Sequence, residues 1–326
     1  MMTKSFYSFM QGIIDYAGMF PPANLELTPA FSNYLDYINS DDEWMMDKFV
    51  CSMRSFEEIT DTDSNVYKLL QDYDSKRLIS FSLLLTGGMT AKEFLKSLEA
   101  ELKFIKYFTD NNTNTEANSF EVKIPIELFE RHNANGLKTF LNDCSNFLDN
   151  FDMSKSIIFL EPAVNDNYEF MFEKLAHTSA EIENQGRFGF KLRTGGITPE
   201  LYPSTEQAAF ALKTCKDNMV RFKATAGLHH AVRHYNDSVS TKMHGFLNIF
   251  GAGVLAFSNP LSLKEINDIV KDEKAASFIF TEDEFRWNDV PASAENITKA
   301  RNEFVNSFGS CSFDEPKDDL KKLNLL

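Results

Sequence analysis

Short apolar runs rich in β-branched and aromatic residues alternate along the chain with longer segments whose apolar positions recur at helical spacing. Eight of these runs are expected strands: Gly12–Tyr16, Lys48–Met53, Arg77–Leu85, Phe120–Ile126, Ser156–Glu161, Phe188–Leu192, Val220–Ala224 and Phe246–Phe250. Between the third and the fourth, Phe94, Leu98, Leu102, Ile105 and Phe108 stand three or four apart, which predicts a helix with one apolar stripe. Ser204-Thr205-Glu206-Gln207 predicts a second helix start, because the serine hydroxyl can accept from the backbone at Gln207 while the glutamine side chain reaches back. The polar run Thr109–Asn118 reads as a solvated loop.

Eight strand–helix units predict an α/β fold, a (β/α)8 TIM barrel, with a doubly wound open parallel sheet as the alternative. The barrel is expected over residues 1–277. Residues 278–326, with a helical pattern from about Ala294 to Phe308, read as a C-terminal extension packed on it. A chain of 326 residues, 43% hydrophobic, can bury a large core without staples. The cysteines Cys51, Cys144, Cys215 and Cys311 are dispersed and form no C-x-x-C pair, so reduced thiols and a cytoplasmic location are expected. The N-terminus has no sustained apolar core, and no uncharged stretch approaches the roughly 20 residues of a membrane span. A formal net charge of −15 disfavours nucleic acid and anionic membranes as partners. It leaves room for a small anionic metabolite held in a local basic pocket, and a homo-oligomer is compatible with it.

In a barrel the site lies at the C-terminal strand ends, where side chains alternate between interior and helix layer. Placing Val122, Ile124 and Ile126 outward turns Lys123 and Glu127 inward; Phe190 and Leu192 do the same for Lys191 and Arg193, and Phe222 and Ala224 for Lys223 and Thr225. Asp15 ends the first strand and Glu161 the fifth. Converging cations of this kind are costly to bury unless they are paired or serve a ligand. Thr194, Gly195 and Gly196 follow Arg193 and are expected to face an anion with backbone N–H groups, although a tight turn explains a Gly-Gly pair equally simply. After the seventh strand, G-L-H-H-A-V-R-H places His229, His230, Arg233 and His234 beside the site as ligand contacts, with His230 a candidate acid or base. No cofactor is required by any motif. A divalent metal is the second option, with His230 and His234 on one helical face and Asp15 or Glu161 completing the set. Cys311, flanked by Ser310 and Ser312, has no base assignable to it and reads as a buried thiol.

The sixth and seventh units repeat a small pattern, F-K-L-R-T-G-G at Phe190–Gly196 and F-K-A-T-A-G-L at Phe222–Leu228. Two lysines on neighbouring strand ends should each lower the other's ammonium pKa, as imine chemistry needs. These residues resemble class I aldolases of the deoxyribose-phosphate aldolase type, which carry K-x-x-T-G on the sixth strand and K-x-x-x-G on the seventh. The resemblance implies that Lys191 forms the imine and Lys223 tunes it. Over nearly the whole chain, I-D-Y-A-G-M-F-P-P-A (Ile14–Ala23), K-L-R-T-G-G, F-K-A-T-A-G-L-H-H, G-F-L-N-I-F (Gly245–Phe250) and F-G-S-C-S-F-D-E-P (Phe308–Pro316) resemble the signatures of a family of bacterial β/α-barrel proteins. That resemblance implies the fold and carries no activity. The Phe308–Pro316 motif lies in the tail and is expected to fold over the barrel mouth as a lid. The function expected is a lyase or aldolase-like enzyme acting on a small anionic carbonyl or hydroxy-acid metabolite. The alternatives are a metal-dependent hydrolase or isomerase built on the histidine cluster and a ligand-binding barrel without catalysis.

Overall fold

Eight parallel strands close on themselves in the computed structural model, which describes residues 2–74, 77–130, 135–182 and 186–326. They are β1 (Ile14–Tyr16), β2 (Met46–Ser52), β3 (Ile79–Leu84), β4 (Thr115–Lys123), β5 (Ile157–Glu161), β6 (Phe188–Arg193), β7 (Arg221–Thr225) and β8 (Val305–Ser310). Each pairs with its neighbours in chain order, and β8 returns to β1 through Ile14 and Phe308. The architecture is the (β/α)8 barrel, and the open sheet is excluded by this closure.

The outward faces explain why these segments are strands. Phe81 on β3 packs against Phe31 and Phe56 of the helix layer, and Phe190 on β6 lies edge-on to Phe172. The helix Ala91–Asn111 buries the stripe Phe94, Leu98, Leu102, Ile105 and Phe108, and a Thr90–Glu93 capping box starts it. The helix Thr205–Asp217 begins at the capping box of Ser204 and Gln207.

Three expectations are corrected. Phe246–Phe250 is not a strand; it opens the helix Phe246–Ser258, which is buried on every side from Phe246 to Ala256. A continuous apolar run has no polar face, so its period cannot separate a buried strand from a buried helix. The eighth strand is Val305–Ser310, inside the segment read as an appendage; Ser307 and Gly309 occupy its inward face, so only Val305 and Phe308 carry a strand signal. Residues 278–326 therefore complete the barrel rather than decorate it. They supply a three-stranded antiparallel sheet (Phe278–Phe280, Glu284–Trp287, Val290–Ser293), the helix Ala294–Glu303, β8 and the final helix Asp314–Lys322. The Phe308–Pro316 motif is accordingly the end of β8, the loop after it and the first turn of the final helix, not a lid. The third correction is Thr109–Asn118: the preceding helix runs to Asn111 and β4 begins at Thr115, its polar residues belonging to a barrel interior that is itself polar.

The antiparallel sheet packs on the first helix, Lys4–Met10, where Phe6 meets Phe280 and Phe9 meets Phe280 and Phe285. Among the described residues, no helix is long and apolar enough to cross a membrane.

Candidate active site at the barrel mouth

Alternation along the strands places Glu121 on β4, Phe159 and Glu161 on β5, Lys191 on β6 and Lys223 on β7 in the interior, with Lys191 and Lys223 in register. Lys223 is fully buried. Its ammonium lies 2.6 Å from Asp15 Oδ2, 2.7 Å from Glu121 Oε1 and 3.0 Å from Ser82 Oγ, and it stands over the Phe159 ring. Lys191 Nζ lies 2.9 Å from Glu121 Oε2 and 3.0 Å from Glu161 Oε2. Glu121 thus bridges the two lysines with one oxygen each. Asp15 also accepts from Ser307 Oγ at 2.6 Å and from the Lys48 backbone N–H at 3.1 Å.

This arrangement overturns the expected depression of the lysine pKa values. Burial alone would lower both, but Glu121 and Glu161 outweigh it at Lys191, and Asp15 and Glu121 outweigh it at Lys223, so both are raised. Burial likewise works against the Glu121 carboxylate, yet Lys191 and Lys223 hold its pKa well below the usual carboxylate range. Two ammonium groups among three carboxylates leave no surplus of positive charge in the barrel floor.

Above this network opens a cavity of about 510 Å³, and Lys191, Glu121 and Glu161 form its floor. Lys223 and Asp15 do not line it; they lie beneath and are spent on each other. Lys123, Arg193 and Thr225 reach its wall as the alternation predicted. Arg193 donates from Nε to the Gly195 carbonyl at 2.9 Å, and among the described residues neither it nor Lys123 forms an ion pair. These two cations are the ones available to an anion. Val50, Leu84, Leu85, Ile197 and Leu201 make the rest of the wall largely apolar.

The remaining expected contacts fall elsewhere. Glu127 sits in a short 3-10 turn past β4 and accepts from the Ala91 N–H at 2.6 Å, at the start of the helix Ala91–Asn111 that precedes β4. Thr194 is buried, its hydroxyl donating to the Ala226 carbonyl at 2.5 Å, so it staples the β6 and β7 loops together. Gly195 is a packing glycine: a Cβ there would stand 2.8 Å from the Gly227 Cα, and Gly227 itself has φ +75°. Gly196 keeps a place on the cavity wall. His230 and His234 are not on a helix; the loop is irregular and His234 begins a two-stranded hairpin. Their rings meet edge to face at 4.4 Å, but His230 Nδ1 pairs with Asp319 at 2.9 Å and His234 Nδ1 with the Val232 carbonyl at 3.1 Å. Arg233 donates from its backbone N–H to Asn248 Oδ1 at 2.8 Å and from its guanidinium to the Lys242 carbonyl of the hairpin at 3.4 Å. Asp15 and Glu161 are committed to lysines, so neither completes a metal set with these histidines.

Two groupings were not anticipated. Glu121 shares its face with Lys123, and extending the same alternation by two residues would have found it. The other is His229, Cys311 and Glu315, whose candidate ligand atoms all lie within 4.8 Å of one another. Cys311 Sγ is 3.6 Å from His229 Nδ1, which is 3.3 Å from Glu315 Oε2. Burial alone would lower the His229 pKa, but Cys311 and Glu315 prevail and raise it to about 9. His229 and Cys311 line the central cavity; His229 and Glu315 line a neighbouring one of about 350 Å³. No family model matches the chain, and neither does any curated protein.

Proposed function

We propose that the protein is a lyase or aldolase-like enzyme acting on a small anionic carbonyl or hydroxy-acid metabolite, with Lys191 as its reacting group. The observation that carries this reading is the position of the Lys191 amine. It lies at the floor of a largely apolar cavity at the C-terminal strand ends, between two carboxylates and below the unpaired Arg193 and Lys123. Arg193 and Lys123 bind the carboxylate or phosphate of the metabolite and bring its carbonyl down to Lys191.

Lys191 is an ammonium at neutral pH, so it must first give up a proton. Glu161, at 3.0 Å and open to the cavity, takes it. The free amine then attacks the carbonyl carbon, Glu161 returns its proton to the carbinolamine hydroxyl, and loss of water gives an iminium with Glu161 a carboxylate again. Cleavage of the Cα–Cβ bond sends its electron pair into that iminium as an enamine, while the Glu161 carboxylate takes the hydroxyl proton of the departing aldehyde. Glu161 returns that proton to the enamine carbon, and water hydrolyses the iminium to release the second product and Lys191. Lys223 has no part in bond making. It holds Asp15 and Glu121 in place and so fixes the carboxylate against which Lys191 rests.

The test is a panel of small aldehydes, oxo acids and hydroxy acids assayed for C–C cleavage or condensation. Turnover by the wild type that falls at least about a thousandfold in Lys191→Met, a loss of the size seen when a catalytic nucleophile is removed, is the expected result. Equal turnover in the two proteins would overturn the assignment.

A further inference from the structure

We infer that His229, Cys311 and Glu315 form a binding site for a divalent cation of borderline softness, with zinc as the best fit. The site stands apart from the imine chemistry proposed for Lys191. A tetrahedral zinc ion lies about 2.3 Å from a thiolate and about 2.0–2.1 Å from an imidazole nitrogen or a carboxylate oxygen, which makes the S···N edge about 3.6 Å and the N···O edge about 3.3 Å. The two edges that meet at His229 Nδ1 are 3.6 Å and 3.3 Å. The third, from Cys311 Sγ to Glu315, lies within 4.8 Å and closes by a rotamer change of the half-exposed glutamate.

The donor set matches the metal. One thiolate, one imidazole and one carboxylate together disfavour magnesium and calcium, which take oxygen ligands, and suit zinc or its spectroscopic substitute cobalt. Three protein ligands leave one position open, the pattern of catalytic rather than structural zinc. Because Cys311 and His229 are on the central cavity wall, a bound ligand's oxygen can occupy that position and be polarised there.

The local chain is built to hold these groups. His229 follows β7, and Cys311 and Glu315 follow β8, its neighbour in the barrel. Ser310 Oγ donates to the Ser312 carbonyl at 2.6 Å across Cys311, and Ser312 Oγ in turn accepts from the Glu315 N–H at 3.1 Å. The S-C-S-F-D-E stretch thereby fixes the thiol and the start of the helix carrying the carboxylate. Neither serine has another evident task.

The experiment uses full-length protein without a histidine tag, stripped with a chelator, confirmed folded by thermal unfolding, and titrated with Co²⁺. One equivalent should bind with tetrahedral visible bands and a thiolate-to-cobalt charge-transfer band in the near ultraviolet. His229→Ala and Cys311→Ala should lose that spectrum. Glu315→Gln, at an exposed helix start where folding is not at stake, should weaken binding by roughly tenfold or more, at least what loss of an outer-shell partner costs. Zn²⁺ should also protect Cys311 from iodoacetamide, whereas Cys51, Cys144 and Cys215 are buried, with thiols raised chiefly by burial, and stay unreactive throughout. Absence of stoichiometric binding, a cobalt spectrum without the thiolate band, or wild-type affinity in Glu315→Gln together with unchanged spectra in the other two variants would overturn the site.

Discussion

Lys191 and Lys223 occupy matched positions on adjacent strands, but their surroundings give them different work. Lys223 has its three N–H groups directed at Asp15, Glu121 and Ser82, all buried. Removing it leaves the buried Asp15 without its cation and Glu121 with Lys191 alone, so Lys223→Met should cost about 3–5 kcal/mol in denaturant unfolding. Lys191→Met leaves Glu121 paired with Lys223 and Glu161 open to the cavity. It should cost clearly less stability while abolishing turnover. The inward direction of Lys123, Lys191, Arg193, Lys223 and Thr225 was legible in the sequence because strand alternation is strict. That Glu121 sits between the lysines, so that carboxylates hold both ammonium pKa values up, was not, since it depends on three strands meeting at one height.

At the scale of elements, the loops after β6 and β7 are locked by contacts that no motif advertises. Thr194 bonds the β7 loop, and Gly195 passes against Gly227 at a distance no side chain allows. Gly195→Ala is therefore expected to destabilise by about 1–3 kcal/mol through overpacking and to displace Arg193 from the cavity. The affinity for an anionic ligand should fall with it, as isothermal titration would show. By contrast, Ser204→Ala, which removes only the cap of the helix Thr205–Asp217, should cost about 1 kcal/mol and leave ligand affinity unchanged. The capping box and the apolar stripe of Ala91–Asn111 were readable because both are local patterns. His229 and Cys311 lie 82 residues apart, and only the closure of β8 onto β7 brings them together.

For the molecule as a whole, closure depends on residues 278–326. A chain ending at residue 277 lacks β8 and leaves the edges of β1 and β7 unpaired. Such a protein should show no cooperative thermal transition, whereas an appendage could be removed with the barrel intact. The strand escaped the sequence pattern because its inward positions are small and polar, suited to a mouth rather than to a core. His244 provides a second global readout. It is buried, donates from Nε2 to the Pro203 carbonyl at 2.8 Å, and its pKa is lowered to about 4 chiefly by burial. The unfolded chain takes up this proton near pH 6.5 while the folded chain resists it. Stability is therefore complete above about pH 6.5 and declines between there and about pH 4, by on the order of 3 kcal/mol. His244→Gln should flatten that part of the stability profile measured by denaturant unfolding.

In the proposed mechanism Lys191, and not Lys223 or Lys123, meets the carbonyl of a ligand. Borohydride reduction in the presence of small aldehydes and oxo acids, followed by peptide mapping in a mass spectrometer, reads this directly. One adduct is expected, on Lys191, absent in Lys191→Met and forming faster as pH rises, because the neighbouring carboxylates keep its pKa high. An adduct on another lysine, or none with any carbonyl compound that binds and turns over, would contradict it.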